Sequence, residues 1–286
     1  MLLANLGWSL SGIFVRLMPD LNFWQINAWR GYWSAIALLV YLYLAYGKNS
    51  LRKFAELPKV ALISSALFFA FGTTFYVLAL TKVSTATVAV IGATSPLFTG
   101  LLSPWLTGER PKIFAWFAAV LALAGMTVIV YGGLERGVFI WQLFCLAVPL
   151  VFALQTLMLR RYRRYDVMPA ICVGGILTFL SCSLISIFID PSFNALTVDF
   201  HNMLLLLAMG PVQLAIPLIF YGMGAKTVSA ITLSLLAMMD AIINPFWSWL
   251  FVGEVPEQLA FIGGGIILLA VIISTVGENY SSKPLT

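Results

Sequence analysis

The sequence predicts an all-α membrane protein, with ten transmembrane helices arranged as two inverted five-helix repeats around a central cavity. Three observations predict this fold. Apolar residues make up 61% of the chain and charged residues 9%, with a mean hydropathy of +0.98, outside the range of a soluble domain. The chain divides into ten apolar runs of roughly the 20 residues that a helix needs to cross a bilayer. Finally, Phe75, Tyr76, Val83, Ser84, Thr87, Gly108, Glu109 and Pro111 recur ungapped, 145 residues later, as Phe220, Tyr221, Val228, Ser229, Thr232, Gly253, Glu254 and Pro256. Internal repeats in a membrane chain are the mark of secondary transporters, whose solute site lies near the midplane between the halves.

Taken in order, spans 1 to 5 lie near 2 to 18, 25 to 46, 58 to 80, 84 to 106 and 111 to 131, within a first repeat of 1–132. Spans 6 to 10 lie near 138 to 159, 168 to 189, 202 to 222, 229 to 252 and 256 to 276, within a second repeat of 138–277. No Lys or Arg precedes span 1 and no small-residue cleavage site follows it, so it reads as a membrane helix rather than a removable leader. The repeat is clear in spans 3 to 5 and 8 to 10 and faint in the first two spans of each half.

Charge sets the direction of insertion. Lys48, Arg52, Lys53, Lys59, Arg110, Lys112, Arg160, Arg161, Arg163, Arg164, Lys226 and Lys283 fall on the side of the N-terminus. Arg16, Lys82 and Arg136 fall opposite, with Arg30 just inside span 2. The positive-inside rule then places both termini in the cytoplasm, and the short loops fit a multi-pass protein of a bacterial inner (cell) membrane. Five spans is an odd number, so the second copy enters upside down.

The same distribution excludes nucleic acid as a partner, because the basic residues sit in short gaps rather than on a polar face. Cys145, Cys172 and Cys182 lie in apolar stretches at no metal-like spacing and the lone histidine is His201, so neither a metal, a cofactor nor a disulfide is expected. The expected partners are the lipid bilayer and a small-molecule solute, with the protein a monomer or homodimer.

A Gly-Glu-x-Pro step joins the fourth and fifth spans of each half, within SPLFTGLLSPWLTGERP and DAIINPFWSWLFVGEVP; Gly7-Trp8 opens span 1 and Arg30 lies early in span 2. Over the whole chain this resembles the EamA-like branch of the drug/metabolite transporter superfamily. The resemblance implies a carrier with a central cavity, in a superfamily that moves amino acids, nucleotide sugars, sugar phosphates, choline and drugs. One departure is clear: many EamA-like proteins carry Glu-Pro at the position of Asp240, whereas here Ala241 follows and the proline comes at Pro245.

Asp240 is the carboxylate nearest the middle of a span. A charge there costs about 3 kcal/mol on insertion scales and marks solute or proton pathways. It reads as a proton-coupling site or as a counter-charge for an ammonium group, against a neutral carboxyl that only shapes its helix. Its repeat mate is Ser95, and that of Asn244 is Thr99; each pair is spaced i, i+4 and shares one helix face. Pro96 and Pro245 leave the carbonyls of Gly92 and Ala241 without helical donors.

In span 8, Pro211 and Pro217 bracket Gln213, so that backbone should bend. Gln213 and Gln155 can offer donors and acceptors to a zwitterion, or equally hold a neighbouring helix. Trp8, Phe75, Tyr76 and Tyr221 are candidate aromatic walls of the cavity, weighed against lipid contact and packing. Trp24, Trp29, Trp33, Trp105 and Trp141 read as membrane-interface residues. Arg16 and Arg30 read as snorkelling side chains near the outer surface, or as a cationic pair that attracts carboxylate-bearing solutes. Small residues in span 5 (Ala115, Ala118, Ala119, Ala122, Gly125) and span 10 (Gly263, Gly264, Gly265, Ala270) predict close helix contact, bracing each half or pairing protomers.

These features predict a secondary carrier for a small organic metabolite, working by alternating access, with export of amino acids or related compounds as the narrower reading. The alternative within the class is uptake of a cationic solute such as choline. An intramembrane enzyme would need paired carboxylates, a metal cluster or a nucleophile with its base, and the chain offers no such set. No phosphate-binding loop for ATP is present either, so gradients must supply the energy.

Overall fold

The structure, a computed structural model, describes residues 2–80, 91–129, 141, 144–189, 196–239, 243, 250 and 258–281. All regular structure in these residues is helical, and a helix falls within each of the ten apolar runs. Among the described residues, three stretches are long and apolar enough to cross a membrane: Lys59–Tyr76, Met168–Phe188 and Phe200–Gly224.

Span 1 is two short helices, α1 (Leu2–Ser9) and α2 (Ser11–Arg16), joined at Leu10 by a tight turn in which Leu10 N–H donates to Gly7 O. Span 2 is α3 (Phe23–Tyr46). Its start is fixed by a capping box, with Asn22 Oδ1 accepting from Gln25 N and Gln25 Oε1 accepting from Asn22 N. Its end is fixed by Gly47 at φ +57, a conformation that glycine adopts without a Cβ penalty. A short exposed helix that the apolar pattern misses, α4 (Ser50–Glu56), follows, with Lys53 and Arg52 paired to Glu56.

Span 3 is α5 (Lys59–Leu80) and span 4 resumes as α6 (Ser95–Leu106), after a turn at Ala93 and Thr94. Pro96 therefore sits in the first turn of a helix, where its missing N–H costs nothing. Pro104 lies inside α6, and the carbonyl of Gly100 that it leaves without a helical donor is taken by Ser103 Oγ at 3.1 Å. Spans 5, 6 and 7 are α7 (Ile113–Ile129), α8 (Ala147–Arg161) and α9 (Met168–Ile189).

Span 8 is α10 (Phe200–Met209), a π-helical segment (Gly210–Ala215) and α11 (Ile216–Gly224). The expected bend is thus a widened turn between two prolines. The described part of span 9 is α12 (Ala230–Ala237), and span 10 is α13 (Gln258–Ser281). Ser229 caps α12 by accepting from Thr232 N–H, which gives the recurring Val-Ser-x-x-Thr pattern a physical role as a helix start.

The major contacts join the two halves of the chain. α3 packs along α9, α7 along α13, α5 beside α8 and α9, α6 beside α8 and α12, and α1 against the π segment and α11. Small residues make these approaches possible: a Cβ on Gly31 would lie 2.9 Å from Gly175 O, and one on Gly175 would lie 2.7 Å from Gly31 O. The small-residue stripes of spans 5 and 10 face each other within one chain: Ala118, Ala119 and Ala122 share a buried cluster with Ile267 and Ala270. Of the expected interface aromatics, Trp24 is instead buried against Ala28 and Cys182, while Trp105 faces outward at 72% exposure.

Lys53, Arg110, Lys112, Arg160, Arg164 and Lys226, on loops and helix ends, gather at one end of the bundle, where they line two clefts. We call this the basic end.

Candidate functional site

Two neighbours approach the backbone of the π segment directly. A Cβ on Gly210 would lie 2.5 Å from Trp33 Cβ and 2.8 Å from Ser34 N, and one on Gly7 would lie 2.3 Å from Pro217 Cγ and 2.8 Å from Val212 O. Span 8 is therefore held between α1 and α3. π turns of this kind occur often at functional positions, since they turn side chains out of the regular helical register.

Gln213, buried in that turn, accepts from Arg30 Nη1 at 3.4 Å, while Arg30 Nη2 donates to Asn27 Oδ1 at 2.7 Å. The guanidinium is thus turned into the bundle rather than snorkelling outward, which corrects the reading of Arg30 from its place in the sequence. Among the described residues no carboxylate pairs with it; the described ion pairs are Arg52–Glu56, Lys53–Glu56 and Arg160–Glu109. Its Nε–H is buried and donates to nothing, and Trp33 Nε1 and Ser34 Oγ are likewise buried without a hydrogen-bond partner. Residues 30, 33 and 34 are spaced i, i+3 and i+4, so the three unsatisfied groups share one face of α3. Leaving a buried donor unmade costs about 1–3 kcal/mol, and a buried charge without a counter-charge costs more. Asn27 in turn donates to Cys182 Sγ at 3.2 Å, which links α3 to α9.

A second constellation lies at the basic end. Gly108, at φ +74, turns the chain after α6 and presents Glu109. One carboxylate oxygen of Glu109 takes the Nε–H of Arg160, and the other accepts from the N–H of Ala230 at 3.1 Å, the first residue of α12. A helix N-terminus favours an anion at that point. Arg160 also donates to Ala225 O, and Arg161 donates to Leu106 O. The Gly-Glu-x-Pro step of the first half therefore meets the Val-Ser-x-x-Thr start of the second. Beside it opens a cleft of about 430 Å³ lined by Ser103, Arg110, Lys112, Thr232 and Ser274 among others.

The predicted site residues distribute as follows. Trp8 packs on Tyr221 with ring centroids 5.2 Å apart, and the Tyr221 hydroxyl is paired with Thr156 Oγ1 at 2.8 Å. Phe75 stacks on Phe71 and meets Phe144 edge-on, and Tyr76 is exposed. Ser95 Oγ pairs with Ser234 Oγ of α12 at 3.1 Å, while Thr99 is buried and returns its hydroxyl to Ser95 O. Gln155 is buried in α8 with neither amide atom partnered, as is Asn5 Oδ1 in α1. Asp240 and Asn244 lie outside the described residues. Gln213 is brought to Arg30, Trp8 to Tyr221 and Thr99 to Ser95. Asn27 and Ser103 escaped the sequence reading, although Asn27 three residues before an intramembrane arginine is a usable signal.

The sequence profile of one family matches residues 1–131 and again residues 139–276. The chain belongs to the EamA-like transporter family. It is 26% identical over 210 residues to the pseudopaline exporter CntI of Pseudomonas aeruginosa (strain UCBPP-PA14), covering 69% of this chain and 68% of that one. It is 23% identical over 258 residues to the uncharacterized transporter YdfC of Bacillus subtilis (strain 168), covering 87% and 81%. A crystal structure of a protein 18% identical in sequence superposes with a TM-score of 0.84, covering 99% of this chain and 97% of the other, and so shares the fold. As an EamA-like transporter the chain is a membrane protein that handles a small-molecule solute, and its family and both relatives are named as transporters.

Proposed function

We propose that this EamA-like transporter is a gradient-driven carrier that exports a small organic metabolite of the amino-acid class by alternating access between two inverted five-helix halves. The observation that carries the reading is the bond between Glu109 and the start of α12. Two motifs that each occur once per half meet there across the halves, at the basic end. The same motifs recur in the sequence as Glu254 and Val83-Ser84, which lie outside the described residues, and in an inverted duplication they are the counterparts of this contact. Alternating access then amounts to exchanging one contact for the other. Orientation with the basic end cytoplasmic follows from the charge distribution.

Export is favoured by likeness to the pseudopaline exporter. A cationic cargo such as choline gains no support, because the buried charge at the π segment is positive. Asp240 is the coupling residue of this reading, protonated on one side and released on the other. Proteoliposomes with an imposed pH gradient test it, using labelled amino acids chosen by thermal shift. Wild type should accumulate the solute with the gradient, whereas Asp240→Asn should exchange solute without net accumulation. An unaltered pH profile in the variant would remove the coupling role, and the absence of any exchange in wild type would remove the carrier.

A further inference from the structure

We propose that Arg30 is the residue that binds the solute's carboxylate, and that the α3 face it shares with Trp33, set against the π segment, is the anion subsite of the carrier. The inference rests on the carrier reading above and gives its substrate class: solutes bearing a carboxylate.

Four observations carry it. The guanidinium is drawn into the bundle by Asn27 and Gln213, neither of which neutralises it. Its Nε and the Nε1 of Trp33 are buried and unpartnered, and both groups can only donate, so what they lack is an acceptor. The face opposite is a π turn, whose backbone at Gly210 packs directly on Trp33 and Ser34. A planar, delocalised cation with several fixed donors matches a carboxylate in two-point geometry, whereas an ammonium or a neutral sugar leaves its charge uncompensated. Among the described residues no carboxylate meets this charge, and a solute carboxylate that reaches the α3 face would meet it.

A purely structural arginine would stabilise the fold through its bonds, and this one should not. Ligand-free Arg30→Gln, which keeps a neutral donor of similar length, should melt at or above the temperature of wild type, because a buried uncompensated charge is removed. With the intact protein in detergent, the probes are free amino acids and dicarboxylic acids, each matched with its amide. The acids should raise the melting temperature of wild type by several degrees and the amides should not. Arg30→Gln should lose that shift, and Arg30→Lys should keep part of it.

Equal stabilisation of wild type and Arg30→Gln by an acid, or equal stabilisation of wild type by acid and amide, would overturn the assignment. So would a ligand-free Arg30→Gln that melts several degrees below wild type. Failure of every acid in the panel, in a protein that transports an uncharged or cationic member of the same panel, would also overturn it and leave the carrier intact. A protein that exchanges no solute would instead sink the carrier reading, and the subsite with it.

Discussion

Glu109 reaches across 121 residues of sequence to accept from the backbone N–H of Ala230, while its second oxygen holds Arg160. Three spans are tied at one carboxylate. Their partners are those that only a folded chain can assemble: a turn set by Gly108, a helix N-terminus set by Ser229 and the end of α8.

Replacing Glu109 with Gln should therefore weaken the basic end. The side chains of Arg160 and Glu109 are 10% and 28% exposed, so removing the charge leaves a largely buried guanidinium unpaired, at a cost of about 1–3 kcal/mol. The melting temperature should fall. A cysteine introduced at Ser274, in the adjoining cleft, should label faster with maleimide in the variant than in the Glu109 parent.

Gly7→Ala should destabilise by about 1–3 kcal/mol, because its Cβ would lie 2.3 Å from Pro217 Cγ and 2.8 Å from a backbone oxygen. Gly265→Ala, whose Cβ would meet nothing within 4 Å, should be neutral or slightly stabilising. Thermal unfolding of the two variants side by side checks the contrast.

Tyr221→Phe should cost about 0.5–1.5 kcal/mol through its lost bond to Thr156, while leaving ligand-induced stabilisation unchanged. Trp8 packs on the same ring, so Trp8→Ala should cost more, about 3–5 kcal/mol if the cavity does not collapse. A change in apparent affinity without a change in stability would assign Tyr221 to the solute instead.

Asp199 caps α10, and the N–H of Asn202 holds its carboxyl below the ordinary carboxylate pKa. A depressed folded-state pKa means stability that is present above the unfolded pKa and lost as pH falls through the folded one. Asp199→Ala should thus melt below wild type at neutral pH. The gap should close as pH is lowered beneath the ordinary carboxylate range, in melting curves recorded across that range.

Much of the helical framework is legible from apolar run length alone. The bounds 168 to 189 read from the sequence coincide with α9, where nothing but hydrophobic extent is at stake. Proline chemistry likewise announces the irregular turn at 210 to 215, though not that it would be a π segment. Arg30 is misread because its depth along α3 says nothing of where a long side chain turns. That depends on Gln213, 183 residues away, and on the room left by Gly210. Glu109 is visible as a repeated residue but its work is not, since Arg160 and Ala230 become neighbours only through packing. The small-residue stripes show that spans 5 and 10 make close contacts but not with whom.

The meeting of Gly31 and Gly175 has a mechanical consequence. Each glycine places its bare Cα against the other's carbonyl, so at this point α3 and α9 touch through backbone, with only the small side chains of Thr178 and Ala35 beside the crossing. Interlocked side chains resist turning, since each must leave its rotamer before the helices can move. A smooth crossing resists only separation. For a carrier of the kind proposed, such a crossing would be a bearing on which the long helices roll while the clusters on either side of it repack.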